Sequence, residues 1–364
     1  TEKGRAALLD VAESMRVADV EIVTLKRTTP VGICALWNRM CSHAYDEMAA
    51  DFFILLGDDV RITSAGDWMA DVVHAFEQLP TMCIDGTQRH DFGCVALNDV
   101  TNVGFPSFPV VGRTHVQMFG GDVVPVPPFV NQDGDPFLFA LYRRWGAAAF
   151  VKSVTLTNAI GGAVIDGDES AKQPRYERVH IDWRGAVLRD AIARVAAALG
   201  DEQSAQHERL VIDVVTPSYR VDLSFLRGIV EQSVPRNCST MFIIAVDDPS
   251  ADLTQLRQLE ASVPGRMRVR QHTRNGGASA ARNTGLAESD ADWVIFLDDD
   301  VIPEQGLIAA YADAIVKHGG EFDGFVGVTE LPFEPRVFAH AVHMSDVSFF
   351  WRIAEHMETL PWGV

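Results

Sequence analysis

The feature that most constrains this chain is the alternation of strand-like and helix-like segments that starts at residue 210. "LVIDVVTPSY" (210–219) is an apolar, β-branched run that stops at Thr216, Pro217 and Ser218, the pattern of a buried parallel strand followed by a turn. "VDLSFLRGIVEQSV" (221–234) then sets Leu223, Leu226, Ile229 and Val230 on one helical face. A second buried strand, "MFIIAVDD" (241–248), a second amphipathic helix, "LTQLRQLEASV" (253–263), and an edge-like strand and loop, "MRVRQHTRNGG" (267–277), come next. A third helix, "ASAARNTGLAES" (278–289), leads into the strand "DWVIFLDDD" (292–300). Strands that alternate with helices need right-handed crossovers, so they build a parallel sheet with a ligand crevice at the carboxyl ends of its strands. Those ends carry Thr216 to Tyr219, Asp247 with Asp248, and Asp298 to Asp300, so three polar tips converge on one crevice.

Three consecutive aspartates at a strand end have a bland explanation, because acids are at home where a chain re-enters water. A sharper one follows from strand geometry. Side chains alternate faces, so Asp298 and Asp300 are expected on one side and Asp299 on the other. Two same-facing carboxylates repel unless a hard divalent cation joins them. Mg²⁺ or Mn²⁺ takes one or two protein carboxylates and completes its shell with substrate phosphates and water. The triplet therefore points to a metal-held diphosphate.

The chain is long enough for two domains, and 47% hydrophobic with 22% charged residues is ordinary for a globular protein. A formal net charge of −19 argues against a nucleic-acid partner, which would need a basic face. Five scattered cysteines form neither a disulfide framework nor a C-x-x-C zinc pattern, and a reducing, cytoplasmic setting is the simpler expectation. No apolar run is long enough to cross a bilayer, so membrane association is expected only through segments outside this sequence. Residues 166–209 pair polar, turn-rich stretches with one amphipathic helix, "WRGAVLRDAIARVAAAL" (183–199), and read as a linker with flexible joints.

An internal repeat lies across that linker. Without gaps, "DFFILLGDDVRI" (51–62) matches "DWVIFLDDDVIP" (292–303), pairing Asp58 with Asp299 and Asp59 with Asp300. Upstream, "VGICALWN" (31–38) parallels "NGGASAARN" (275–283), and "VEIVTLKRTTP" (20–30) parallels "MRVRQHTRN" (267–275). Agreement over strand, loop, helix and strand in one order implies two related modules, at 1–165 and 210–364.

Over 210 to about 332 the chain resembles the family 2 glycosyltransferases, whose Rossmann-like, mostly parallel fold is called GT-A. "VVTPSYR" is similar to that family's first strand and turn, "AVDDPSAD" to its acidic nucleotide contact, "NGGASAARNTGL" to its glycine-led helix and "FLDDDVIP" to its D-x-D metal motif. The resemblance implies a nucleotide-sugar donor (UDP-, GDP- or dTDP-linked) held by Pro217, Tyr219, Asp247, Asp248, Asn275, Arg282, Asp298 and Asp299. It also implies Mn²⁺ or Mg²⁺ on Asp298 and Asp300, and a saccharide or glycoconjugate acceptor. Over 19–160 the likeness is looser, and "FVNQDGDPFLFALYRRWG" (129–146) resembles the acceptor-side helix. There it makes Asp133 or Asp135 the general base of an inverting transfer, although acids beside a Pro at a helix start also serve as caps.

In the first module the metal motif reads Gly57-Asp58-Asp59, so only Asp59 remains on the metal-facing side and a weaker cation site is expected. By this alignment neither module is whole: the first lacks its early strands and the second stops before its acceptor helix. The aromatics Phe105, Phe108, Phe129 and Trp145 either stack on a sugar or fill the core. Two other function classes remain open, a non-catalytic nucleotide- or carbohydrate-binding scaffold and a sugar nucleotidyltransferase. The latter wants a glycine-rich basic loop where "TPSYRVDLS" stands.

Overall fold

A computed structural model describes residues 32–57, 59–64, 66–158, 181–327 and 329. The chain divides into two compact units, Thr1–Ile308 and Ala309–Val364. The described elements of the first half are α1 (Ile33–Asp46), β1 (Phe52–Ile54), β2 (Val60–Ile62), α2 (Trp68–Glu77), β3 (Met82–Ile84), β4 (Thr87–Arg89), β5 (Cys94–Asp99), β6 (Pro109–Gly112), α3 (Arg113–Met118), α4 (Gly134–Arg143) and β7 (Ala148–Asn158). A π-helical turn, Trp183–Val187, leads into α5 (Leu188–Leu199) and α6 (Asp201–His207). Then follow β8 (Leu210–Ser218), α7 (Leu223–Val230), β9 (Cys238–Ser239), β10 (Phe242–Val246), α8 (Thr254–Ser262), β11 (Met267–Gln271), α9 (Ala278–Glu288), β12 (Trp293–Phe296) and α10 (Leu307–His318). In the second unit the Tyr311 hydroxyl approaches Gly327, to whose backbone it is hydrogen-bonded.

The second sheet runs β11-β10-β8-β12 with β9 beside the start of β8, and every pairing is parallel. Its central strand β8 is buried from Val211 to Ser218, as an unbroken β-branched run requires when helices cover both faces of a parallel sheet. Strand order reverses between β8, which neighbours β10, and β12, which lies on its other side, the switch point at which open parallel sheets form a ligand crevice at the carboxyl ends. Helix α9 lies so close to β8 that a Cβ at Gly285 would run into Val215 Cγ1, which is why a helix interior tolerates glycine there. The Asp222 carboxylate starts α7 by accepting the Ser224 amide at 2.9 Å.

The first sheet departs from the mostly parallel expectation. Its order is β1-β6-β5-β7-β2, and only β5 and β7 pair in parallel; β1 with β6, β6 with β5 and β7 with β2 are antiparallel. No helix lies between β5 and β6, so the chain lacks the crossover that a parallel neighbour needs and returns antiparallel. One face of this sheet packs on α4 and α5 around Phe92, Phe129, Phe137, Tyr142 and Trp145, all essentially sealed from solvent. Rings of this size contribute the most apolar area to a core, and truncating one costs about 3–5 kcal/mol.

The polar stretch after residue 199, expected to be a flexible joint, instead forms α6. Gln203 ties it to β3, accepting the Cys83 amide at 2.9 Å and donating to the Cys83 carbonyl at 3.1 Å. Helix, strand and acid follow one another as α1, β1 and Asp59 and as α9, β12 and Asp298–Asp300, but β1 pairs antiparallel and β12 parallel. The segment 20–30 and Asp58 lie outside the described residues.

Candidate functional site

Asp247 is the organising residue of the crevice. It follows the last residue of β10 and is 5% exposed, and its carboxylate accepts the amides of Gly276 at 2.8 Å and Gly277 at 2.6 Å. Gly277, with φ of +84°, is the residue that starts α9, a backbone shape that glycine adopts without strain. His272 completes the seat: Nδ1 lies 2.7 Å from Asp247 Oδ1 and Nε2 lies 2.8 Å from the Thr284 hydroxyl. Burial works to raise the Asp247 pKa, but the two amides and His272 outweigh it and hold the carboxyl below its usual range. Beside it, Asp248 closes a turn on Ser250, accepting its amide at 2.8 Å and its hydroxyl at 2.7 Å.

The aspartate triplet lies just past the end of β12, so strand alternation no longer sets its directions. Asp299 turns into the switch-point crevice and accepts the Ser218 hydroxyl at 2.7 Å. Asp298 pairs with Arg282 of α9, and Asp300 stands 3.8 Å from Arg220. Both outer carboxylates are open to water, 53% and 63% exposed. Their partners come from different elements, so they are not the simple same-facing pair that alternation implied. Tyr219 and Asn275 are exposed on the loops around the same ends, and Pro217 is buried in β8 opposite Ala245.

Among the described residues no three His, Cys, Asp or Glu side chains are gathered closely enough to hold a metal ion. The donor set at the triplet is nonetheless oxygen-only and solvent-facing. That fits a hard cation that takes one or two protein carboxylates and otherwise binds phosphate and water. In the first half, a Cβ at Gly57 would stand 2.7 Å from Asp59 Oδ1, so the Asp59 carboxylate lies back over the position where the triplet has its first acid.

Asp133 and Asp135 lie elsewhere, at the start of α4, in a cavity of about 670 Å³. Asp133 sits at the first position before the helix with φ of +64°, yet its side chain caps nothing and instead accepts from Gln132 Nε2 at 3.0 Å. Asp135 is more unusual. Its Oδ1 is buried with no hydrogen-bond partner, and burial pushes the carboxyl up to about 7. The Phe108 amide opposes that rise, while the charges of Asp133 and Asp99 add to it. Phe108 itself has φ of +52°, a strained shape for a bulky residue held beside this carboxyl. Of the four aromatics considered, Phe108, Phe129 and Trp145 are core, and Phe105 lines the cavity under the Arg268 guanidinium.

Sequence reasoning missed the arginines that line this cavity. Arg143, at the end of α4, donates Nη2 to Asp213 at 2.7 Å, Nη1 to Asp290 and Nε to the Ser239 hydroxyl at 3.2 Å, and it is 5% exposed. Asp213 lies inside β8 and also accepts the Met241 amide at 2.9 Å and the Ser289 hydroxyl at 2.8 Å. A lone acid within "LVIDVV" was the available signal, because a buried carboxylate has to be paired. Arg268 and Arg270, read as strand residues, both reach Glu288 Oε2, at 3.2 and 2.9 Å.

Residues 213–356 match the family model described as glycosyl transferase family 2. Glycosyltransferase GlyA of Streptococcus pneumoniae is 30% identical over 107 residues, which are 29% of this chain and 15% of GlyA. A Haemophilus influenzae protein described as an uncharacterized glycosyltransferase is 31% identical over 90 residues, 25% of this chain and 29% of that one. The chain thus spans less than a third of the length of these curated relatives. The crystal structure of S. aureus TarS 1–349 aligns at 20% identity over 35% of this chain and 42% of that fragment, with a TM-score of 0.27. Its complex with UDP-GlcNAc aligns at 22% over 30% and 32%, also at 0.27.

Proposed function

We propose, taking as premise that residues 213–356 are a family 2 glycosyltransferase domain, that this chain transfers a sugar from a nucleotide-sugar donor to a hydroxyl of a saccharide or glycoconjugate. The observation that carries the reading is the crevice at the β8/β12 switch point, where Asp247, Asp299 and the exposed pair Asp298 and Asp300 meet the start of α9. A nucleoside diphosphate group fits there. Asp247 and Asp248 stand on the base and ribose side, and Arg282 is within reach of phosphate oxygens when it leaves Asp298.

Mn²⁺ or Mg²⁺ on Asp298 and Asp300 would supply Lewis-acid stabilisation of charge on the departing diphosphate. The residues of this chain do the rest. The Ser218–Asp299 bond fixes the loop, and the seat of Asp247 under Gly276 and Gly277 fixes the helix start. Asp133 or Asp135 is the general base of a transfer by the first module itself, because their cavity is lined by Glu288 and Asp290 at the far end of α9 from Gly276 and Gly277; there an acceptor hydroxyl gives up its proton while its oxygen bonds to the sugar's anomeric carbon. The bond to the nucleoside diphosphate breaks on the opposite face, which inverts the configuration. General-base help of this kind contributes roughly a hundred- to ten-thousand-fold in rate. In this reading 1–165 and 210–364 act as two modules joined by 166–209, in the cytoplasm.

Calorimetry with UDP, with and without Mn²⁺, tests the assignment. Asp300→Ala should remove the metal-linked part of binding. Metal-linked affinity that survives in that variant would refute the role given to the triplet.

A further inference from the structure

A carboxylate has about four accepting positions on its two oxygens, and in Asp247 three of them are filled from inside the protein. Oδ1 lies 2.8 Å from the Gly276 amide and 2.7 Å from His272 Nδ1, whereas Oδ2 accepts, among the described residues, the Gly277 amide alone, at 2.6 Å. Without His272 each oxygen would hold one glycine amide, and the two would be equivalent. The imidazole breaks that symmetry. It saturates Oδ1 and leaves the open accepting position on Oδ2.

The ring is itself held at both ends. His272 follows the last residue of β11, and its amide donates to the carbonyl of Val246, the neighbour of Asp247 in the chain, at 2.9 Å. Nε2 lies 2.8 Å from the hydroxyl of Thr284, inside α9. The imidazole is only 15% exposed, so water competes little for its bonds. Asp247 is ionised and can only accept, so Nδ1 carries the hydrogen and the Thr284 hydroxyl donates to Nε2 of the neutral ring. A hydrogen bond to a charged acceptor is the stronger of the two. One side chain thus joins the ends of β10 and β11 to the body of α9, with the direction of each bond set.

The geometry points to His272 as a positioning residue of the donor crevice: its Nδ1–H fixes the rotation of the Asp247 carboxylate, keeps Oδ2 free to accept from the ligand, and so sets nucleoside diphosphate affinity through Asp247. The inference rests on reading this crevice as the nucleotide-sugar site. The competing use of the same ring is a strut that ties β11 to α9 through Thr284. The two uses depend on opposite ring nitrogens, which makes them separable.

Calorimetry of the full chain with UDP and Mn²⁺ compares two replacements that each keep half of the ring's bonding. In His272→Asn the amide nitrogen falls where Nδ1 stood and keeps the bond to Asp247; in His272→Gln it falls where Nε2 stood and keeps only Thr284. Affinity within about threefold of the unchanged chain is expected for His272→Asn and a roughly tenfold loss for His272→Gln, the effect of one hydrogen bond to a charged group. Thermal melts ensure that both variants are compared folded. Equal loss in the two, a greater loss in His272→Asn, or undiminished affinity in His272→Gln overturns the proposal. Histidine-selective ¹H–¹⁵N NMR of the unchanged chain adds a check without nucleotide: Nδ1 should carry the hydrogen, and a ring protonated on Nε2 alone overturns the proposal as well. A chain that binds no UDP before any substitution sinks the donor reading, and this affinity role with it, a failure distinct from one seen only in the variants.

Discussion

The second sheet is parallel throughout and presents its acids at an open rim, whereas the first is mixed and its acids Asp133 and Asp135 line a cavity, only partly exposed. Asp298 and Asp300 are more than half exposed beside Arg282 and Arg220; Asp135 is only partly exposed with its Oδ1 buried, and burial pushes its carboxyl up to about 7. The same side chain is thereby suited to opposite tasks. An exposed, ionised carboxylate can serve as a cation ligand, while a buried one near neutrality can take up and return a proton. Arg143 is where the two regions are joined, for it carries the end of the acid-led helix α4 into the first strand of the parallel sheet.

The largest effect should come from cutting that joint. Arg143→Met leaves Asp213 buried, and Asp290 partly so, without their cation, and the expected loss is about 3–5 kcal/mol in urea unfolding. A loss under about 1 kcal/mol would mean that the two regions are held together by something else. Next is Asp135, where the folded value lies above the unfolded one. Its contribution is fully favourable below about pH 4 and is lost as pH rises through about 7. Asp135→Asn should therefore raise stability by a few kcal/mol at pH 8 and leave it unchanged at pH 4, as thermal melts at the two pH values will show.

Gly285→Ala probes the parallel region alone. Its new methyl meets Val215, so roughly 1–3 kcal/mol of stability should go, together with UDP affinity as α9 is pushed outward. Retained UDP affinity at reduced stability would separate the helix from the donor crevice. Asp222→Ala removes a helix cap at the surface and should lower the thermal midpoint slightly with no change in nucleotide binding. The smallest effect is expected at Asp59→Ala, where metal-linked UDP binding to the whole chain should barely move; a drop equal to that of Asp300→Ala would erase the contrast between the two motifs.

The parallel region was legible in the sequence because its signals are local. The runs at 210–218, 241–246 and 293–296 are strands, and the helical faces at 223–230, 254–262 and 278–288 are helices, each fixed by the spacing of its own apolar residues. The first sheet was harder. Strand direction depends on which distant segment becomes the neighbour, and three-residue strands such as β1 and β2 carry too little pattern to tell. The joint at 200–209 was read as flexible because it is polar, yet α6 is polar on the outside and anchored through Gln203. The site was half legible: acids at strand tips announce themselves, whereas arginines inside a strand or at a helix end do not.

The sequence by itself determined that residues 210–300 would form a parallel sheet with acids at its rim, because side-chain alternation and helical periodicity act between near neighbours. Only the tertiary structure decided that Arg143 meets acids 70 and 147 residues away, and that Asp135 Oδ1 is buried while Asp300 is wet. Burial and charge pairing are set by whatever the folded chain brings alongside, and that sum of distant neighbours is what gives identical carboxyl groups different chemistry.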